Sequence, residues 1–300
     1  MLTSLKQLLA SIVDYAGLFP PAQLSLSEAV ALYDRAQASS QSWLLNRFAI
    51  PAARLQELSK LRFTASESIY SSKPWALSVI LSRNWATELE QIDQIRKTGF
   101  QYQNQIKICA LEVAPLPPAE IQQMGLSLPA GIEVFFEIPL SADLEPYLKV
   151  LQQTGTAAKL RTGGTAPDAF PDSTQLSQHI LSFANAQIPF KATAGLHHAL
   201  RGSYRLTDQP GSPSATMQGF LNLALLAVFV YQQHITLAEA LEMLEEQSIA
   251  PFQFTNTAIT WRDRSISVAE IQQSRQHFFR SFGSCSFQEP IDDLHHLRFL

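Results

Sequence analysis

Charge, cysteine and long apolar runs are all scarce in this sequence. Only 16% of its 300 residues are Asp, Glu, Lys or Arg, and the formal net charge is −4. A nucleic-acid partner calls for a basic face to meet phosphates, so none is expected. Two cysteines, Cys109 and Cys285, cannot build a disulfide framework and do not make a structural zinc site by themselves. They fit a reducing cytoplasm. The most apolar stretch, Phe220–Tyr231, falls well short of the roughly 20 residues that a membrane helix needs. It reads as a buried helix, and no membrane partner is expected. The first ten residues, with one lysine and a short apolar pattern, do not read as a signal peptide. Internal repeats, charge blocks and low-complexity tracts are lacking too, apart from a Gly/Pro/Ser patch at 209–214 that reads as a surface loop.

What is present is a 46% apolar chain that alternates short β-type runs with amphipathic helical stretches. That alternation predicts a parallel sheet with crossover helices. Candidate strands fall at 12–19, 43–50, 75–82, 106–113, 132–139, 157–163, 188–196 and 281–287. Eight is the number that closes a TIM-type (β/α)8 barrel, and barrels of this length are commonly one domain. Ser25-Leu26-Ser27-Glu28 predicts a capping-box helix start. Pro51 suits a first helical turn, and Asn84, Ser141 and Ser173 suit caps. The stretch 202–280 breaks the rhythm with helical patterns at 217–232, 237–246 and 268–279 and a β-like pair at 258–261 and 265–267. It reads as an enlarged connection before the last strand, not a second domain, since it shows no core of its own.

Barrels of this type keep their active sites at the C-terminal ends of the strands. The informative residues are therefore the polar ones that end apolar runs: Asp14, Arg47, Glu112, Glu137, Lys159, Arg161, Lys191, His197 and His198. Charges inside apolar strands are costly unless paired, so their convergence on one end implies a polar pocket. Two lysines on neighbouring strands are the sharpest feature. A desolvated lysine beside a second cation can hold a free amine and attack a carbonyl to form a Schiff base. The same pattern is equally that of a structural ion network of Lys159 and Lys191 with Glu112 and Glu137.

The order of these motifs resembles the deoxyribose-phosphate aldolase family. Ile132-Glu133-Val134-Phe135-Phe136-Glu137 precedes a helix, Ala158-Lys159-Leu160-Arg161-Thr162-Gly163 follows, and Lys191-Ala192-Thr193-Ala194-Gly195-Leu196 comes one barrel unit later. In that family a strand ending in Glu-Thr is followed by Lys-Thr-Ser-Thr-Gly and then Lys-Ala-Ser-Gly-Gly-Ile. Ile12-Val13-Asp14-Tyr15 is similar to its first strand. Gly283 and Ser284, in Ser281-Phe282-Gly283-Ser284-Cys285-Ser286, stand at its last-strand phosphate loop.

The resemblance implies a lyase acting on a small carbonyl compound, with no cofactor and no metal. Lys159 would be the Schiff-base lysine, Lys191 its modulating neighbour, Glu112 the proton shuttle and Asp14 its support. Arg161, Thr162, Gly163, Gly164, His197, Glu137, Arg47, Gly283 and Ser284 would bind the substrate. The chain departs from the family in four places: Glu112 replaces an aspartate, Ala194-Gly195 replaces Gly-Gly, Cys285 replaces a small hydroxyl residue, and the enlarged connection 202–280 has no counterpart. These changes argue against a phosphorylated sugar.

Other readings stay open. A metal- or acid/base-dependent lyase or isomerase could use Glu112, Glu137 and His197. A non-catalytic binding or assembly protein could use 202–280 as its contact surface. Thr162-Gly163-Gly164-Thr165 could cradle an anion or simply form a strand-to-helix turn. Arg161 could take an anion or pair with Glu137. Cys285 could be a nucleophile or a buried small residue; no base is fixed beside it by spacing. The Asp292-Asp293 and His295-His296 tail reads as a solvated helix face. Homo-oligomers are common among barrel enzymes, but no self-complementary stripe argues for one here.

Overall fold

The short apolar runs are buried on both faces and close into a barrel. In the computed structural model, residues 1–64, 74–97, 106–207, 209–233 and 235–300 are described. The first seven barrel strands are β1 (Val13–Tyr15), β2 (Leu45–Pro51), β3 (Trp75–Leu81), β4 (Ile106–Val113), β5 (Glu133–Glu137), β6 (Ala157–Arg161) and β7 (Phe190–Thr193). Five short strands outside the barrel follow: β8 (Gly202–Arg205), β9 (Ser214–Met217), β10 (Phe252–Phe254), β11 (Ala258–Trp261) and β12 (Arg264–Ser267). The eighth barrel strand is β13 (Phe279–Ser284), and the closed order is β1-β13-β7-β6-β5-β4-β3-β2. Every neighbouring pair is parallel. The fold is a TIM-type (β/α)8 barrel.

Its helices are α1 (Thr3–Leu9), α2 (Leu26–Ala38), α3 (Leu55–Thr64), α4 (Trp85–Lys97), α5 (Pro118–Gly125), α6 (Leu144–Thr154), α7 (Ser173–Asn185), α8 (Phe220–Tyr231), α9 (Leu237–Glu245), α10 (Val268–His277) and α11 (Gln288–His296). Among the described residues, no helix is long and apolar enough to cross a membrane. The predicted box at Ser25 caps α2, with both reciprocal bonds to Glu28 in place. Two other cap expectations shift by one or two residues. Asp143 caps α6 in place of Ser141, and Asp172 caps α7 in place of Ser173, because each carboxylate accepts a first-turn N–H. Pro51 ends β2 and leads into a 3-10 turn ahead of α3.

Outward residues such as Leu111, Val134, Phe136, Leu160 and Ala192 join the helices in one buried apolar cluster. The helix α8 is buried on all sides, and its residues belong to the same cluster, as do Ile259, Trp261 and Ile266 of β11 and β12. The stretch 202–280 is thus packed into the barrel's own core. Two of its elements differ from expectation. A β8–β9 hairpin surrounds the predicted loop, so α8 begins at Phe220, after β9 has ended at Met217. The last barrel strand begins at Phe279, two residues earlier than the sequence pattern predicts, because α10 already ends at His277.

The barrel interior is unusual for this architecture, in which bulky branched residues ordinarily fill the layers. Here Ala110, Phe135 and Ala157 form a small apolar cluster apart from the main core, and buried charged side chains stand beside it.

Candidate active site

Strand alternation turns Asp14, Glu112, Glu137, Lys159 and Lys191 into the barrel, and all five are buried. Register sets them side by side: Glu137 pairs with Lys159, and Lys159 pairs with Lys191, across β5, β6 and β7. Lys191 Nζ lies 2.5 Å from both Asp14 Oδ2 and Glu112 Oε1. Lys159 Nζ sits 3.1 Å from Glu137 Oε2 and 3.5 Å from Glu112 Oε2. Arg161 closes the outer end with a two-point contact to Glu137, 2.7 and 3.2 Å. At the inner end Arg47 is 3.9 Å from Asp14 and 2.8 Å from Glu133, which in turn lies 2.7 Å from Arg280 Nε. Nine charges of alternating sign therefore run through the barrel: Arg161, Glu137, Lys159, Glu112, Lys191, Asp14, Arg47, Glu133 and Arg280.

Neutral partners complete the chain. Asn46 Nδ2 donates to Asp14 Oδ1 at 2.8 Å, Ser281 Oγ to Asp14 Oδ2 at 2.7 Å, and Ser78 Oγ to Glu112 Oε1 at 2.7 Å. Both Lys191 and Arg47 lie over the Phe135 ring, 5.6 and 5.8 Å from its centroid. Burial by itself would raise Glu112, but the Lys191 and Lys159 ammonium groups hold it down at about 2. Burial opposes the charge on Lys191 as well, yet Asp14 and Glu112 keep its ammonium above the usual lysine range. Glu137 is lowered too, burial being outweighed by Arg161 and Lys159.

The upper part of this network opens into a cavity of about 390 Å³ at the C-terminal strand ends, with Lys159, Lys191, Glu112, Arg161 and His197 in its wall. Phe19, Pro20, Pro21, Ala49 and Ile80 form its apolar side. Gly164 and Gly283 also line it. The other expected substrate-binding residues lie elsewhere. Thr162 is fully buried, and its Oγ1 donates to the Ala194 carbonyl at 2.6 Å. Gly163 is pressed against Gly195 and Phe170. Ser284 is buried, and its Oγ accepts from the Ser286 N–H. Glu137 stands behind Arg161 and Lys159, and Arg47 belongs to the inner end of the charge chain, away from the cavity wall.

The two histidines lie in the loop after β7 and diverge. His197 faces the cavity, and its Nδ1 is 2.8 Å from Glu289 Oε2. His198 stacks on Tyr204 at 3.6 Å between centroids and approaches Asp293. The α11 face is therefore not wholly solvated, because Asp293 also accepts the Ala199 N–H at 2.7 Å. Asn46, Ser78, Glu133, Ser281 and Glu289 complete the site, and spacing alone did not mark them. Alternation in phase with Asp14 and Glu112 on paired strands is the signal that could have found Ser78, Glu133 and Ser281; Asn46 is the neighbour of Arg47, and Glu289 lies on α11. Among the described residues, no group of three or more His, Cys, Asp or Glu side chains is arranged to hold a metal ion.

Comparison of the chain with protein-family models, curated proteins and solved structures returns no match.

Proposed function

We propose that the chain is an aldolase-like lyase that forms a Schiff base between Lys159 and a small carbonyl compound. The observation that carries this reading is the unequal hold on two adjacent lysines. Lys191 is clamped by two carboxylates at 2.5 Å, and its charge is fixed. Lys159 faces the same cavity, with carboxylates at 3.1 and 3.5 Å that are each already engaged by another cation. It is the amine that can be released for attack.

The chemistry then follows from the neighbours. Lys159 Nζ bonds to the carbonyl carbon, and water leaves as the imine forms. The iminium then accepts the electron pair of the Cα–Cβ bond as that bond breaks; the β-hydroxyl loses its proton, an aldehyde leaves, and an enamine remains on Lys159. Glu112 Oε2 faces Lys159, while its Oε1 is held by Lys191 and Ser78. It is placed to receive the protons that Lys159 and the β-hydroxyl lose and to return one to the enamine carbon, after which water hydrolyses the iminium and frees Lys159. Lys191 keeps Glu112 in place, and Asp14 keeps Lys191 in place. Arg161, at the mouth and half exposed on its side chain, suits an oxygen-bearing substrate.

A second reading rests on the same ion pairs. Both lysines are salt-bridged, as they would be in a binding or assembly protein whose barrel is filled by charge. Borohydride reduction in the presence of small aldehydes and ketones, followed by digestion and mass spectrometry, separates the two. A reductant-dependent adduct on Lys159 that is lost in Lys159→Ala is the expected result. An adduct on Lys191 would reverse the roles of the lysines, and the absence of any site-selective adduct would favour the second reading.

A further inference from the structure

The cavity wall holds a second nucleophilic side chain that the Lys159 chemistry does not use. Cys285 follows the end of β13, is free and partly exposed, and lines the cavity with Lys159 and His197. His197 lines the same cavity as Cys285, and its Nδ1 lies 2.8 Å from Oε2 of Glu289, in the first turn of α11. Burial would lower His197, but the influence of Cys285 and Glu289 prevails and pushes it up to about 10. The loop is braced locally: the Glu289 N–H donates to Ser286 Oγ at 3.2 Å, and the Ser286 N–H donates to Ser284 Oγ at 3.3 Å. Thiol, imidazole and carboxylate in this sequence form an arrangement in which the imidazole takes the thiol proton and the carboxylate orients the imidazolium. In the barrel order β13 and β6 flank β7, so the thiol and the Lys159 amine approach one cavity from either side of the β7 end.

We propose that Cys285 is a second nucleophile of this cavity, with His197 as its proton partner and Glu289 as positioning residue, and that it captures an aldehyde. The choice of an aldehyde rests on the Schiff-base reading, because a lyase that cleaves an aldol leaves an aldehyde in this space. In the step, a bond forms between Sγ and the carbonyl carbon. The C=O π pair moves to oxygen, and that oxygen takes the proton from the His197 imidazolium. The product is a thiohemiacetal, and the reverse path expels the thiolate. Carbon is neither oxidised nor reduced, and no co-reactant is required. Capture would hold a released aldehyde away from Lys159 and so pull the cleavage forward.

Alkylation by iodoacetamide at neutral pH, read by peptide mass spectrometry, tests this with Cys109 as internal reference, since both cysteines are partly exposed. Cys285 is expected to react at least about tenfold faster than Cys109. His197→Gln should remove most of that advantage. Glu289→Gln should lower it severalfold, with Glu289→Asp restoring it. In Lys159→Ala, acetaldehyde should slow alkylation at Cys285 and leave Cys109 unaffected. A Cys285 rate no greater than that of Cys109, or an advantage that survives both His197→Gln and Glu289→Gln, overturns the proposal. Unchanged alkylation in acetaldehyde overturns the aldehyde assignment. Borohydride trapping and alkylation on the unsubstituted protein keep the two readings apart: a Lys159 adduct beside an inert Cys285 defeats only this proposal, and a reactive Cys285 without that adduct defeats only the Schiff-base reading.

Discussion

Lys159 and Lys191 are register partners on β6 and β7, yet one is locked and the other is shared. Lys191 lies 2.5 Å from both Asp14 and Glu112, whereas Glu137 keeps Arg161 and Glu112 keeps Lys191 if Lys159 is removed. The two positions should therefore respond differently to the same near-isosteric change. Lys191→Met takes the nearest cation from two buried carboxylates, leaving Glu112 with Lys159 at 3.5 Å and Asp14 with Arg47 at 3.9 Å, and is expected to destabilise the fold by about 3–5 kcal/mol. Lys159→Met leaves both of its partners bonded and is expected to lose no more than about 1 kcal/mol. Urea denaturation of the two variants checks this, and equal losses would remove the asymmetry on which the catalytic assignment stands.

The charge chain also sets how stability varies with pH. Glu112 is depressed to about 2 and Glu137 is depressed as well. Their contribution is complete above the unfolded carboxylate value of about 4.3 and is lost as pH falls toward the folded values. His197 is raised to about 10. Its contribution is complete below the unfolded value of about 6.5 and is lost as pH rises toward 10. Lys191, raised further, protects until the pH passes the ordinary lysine value of about 10.4. Denaturation midpoints measured across pH should fall on the acid side between about 4.3 and 2. They should also fall gradually above about 6.5. Glu112→Gln is expected to flatten the acid limb and His197→Gln the first alkaline one; an unchanged profile in either variant would contradict its assignment.

Much of this was legible before the structure, for a physical reason. A parallel strand buried on both faces reads as an apolar run, and a charge inside such a run has nowhere to point except into the barrel. All eight strands, and the convergence of Asp14, Glu112, Glu137, Lys159 and Lys191, followed from that pattern. The hairpin β8–β9 did not, because its strands are four residues each with polar alternation and a Gly/Pro/Ser turn between them. Arg47 also looked like a strand-end residue, but its side chain turns toward Glu133 at the inner end of the chain of charges. The Cys285–His197–Glu289 grouping joins a loop after β7 to a loop after β13 and a helix beyond it, and sequence spacing carries no trace of such closure.

The close approach of β6 and β7 depends on glycine at two facing positions. Gly195 has φ of +76°, and a Cβ there would lie 2.7 Å from Phe170 and 2.8 Å from the Gly163 Cα. Gly195→Ala combines a left-handed backbone with a backbone clash, and is expected to destabilise the fold by about 1–3 kcal/mol. Because Ala194 and Gly195 are in the cavity wall, the same change should also weaken borohydride trapping at Lys159. Thermal unfolding and trapping measured on one preparation check both effects; loss of neither would mean that the β6–β7 contact is slack.

Asn222 ties the 202–280 stretch together from inside an otherwise apolar helix. It is fully buried in α8, accepts the Arg201 N–H at 3.0 Å, and donates to the carbonyls of Met243 and Glu246 at 3.0 and 2.8 Å. One side chain thus satisfies the loop before β8 and the end of α9. Asn222→Leu keeps the volume but orphans one buried donor and two acceptors, each worth about 1–3 kcal/mol when left unpaired. The expected loss is several kcal/mol, less than the sum because the loop ends can relax toward water. Asn222→Asp retains the bond to Arg201 and loses both donations, so it should also be strongly destabilised. Trp261 lies in this stretch and Trp75 in the barrel, and both belong to the one apolar cluster. If the stretch is part of the barrel's cooperative unit, single-tryptophan versions reporting at each site should unfold together in urea and shift together in Asn222→Leu. A transition at Trp261 that precedes the one at Trp75 would show instead that the connection melts on its own while the barrel stays closed.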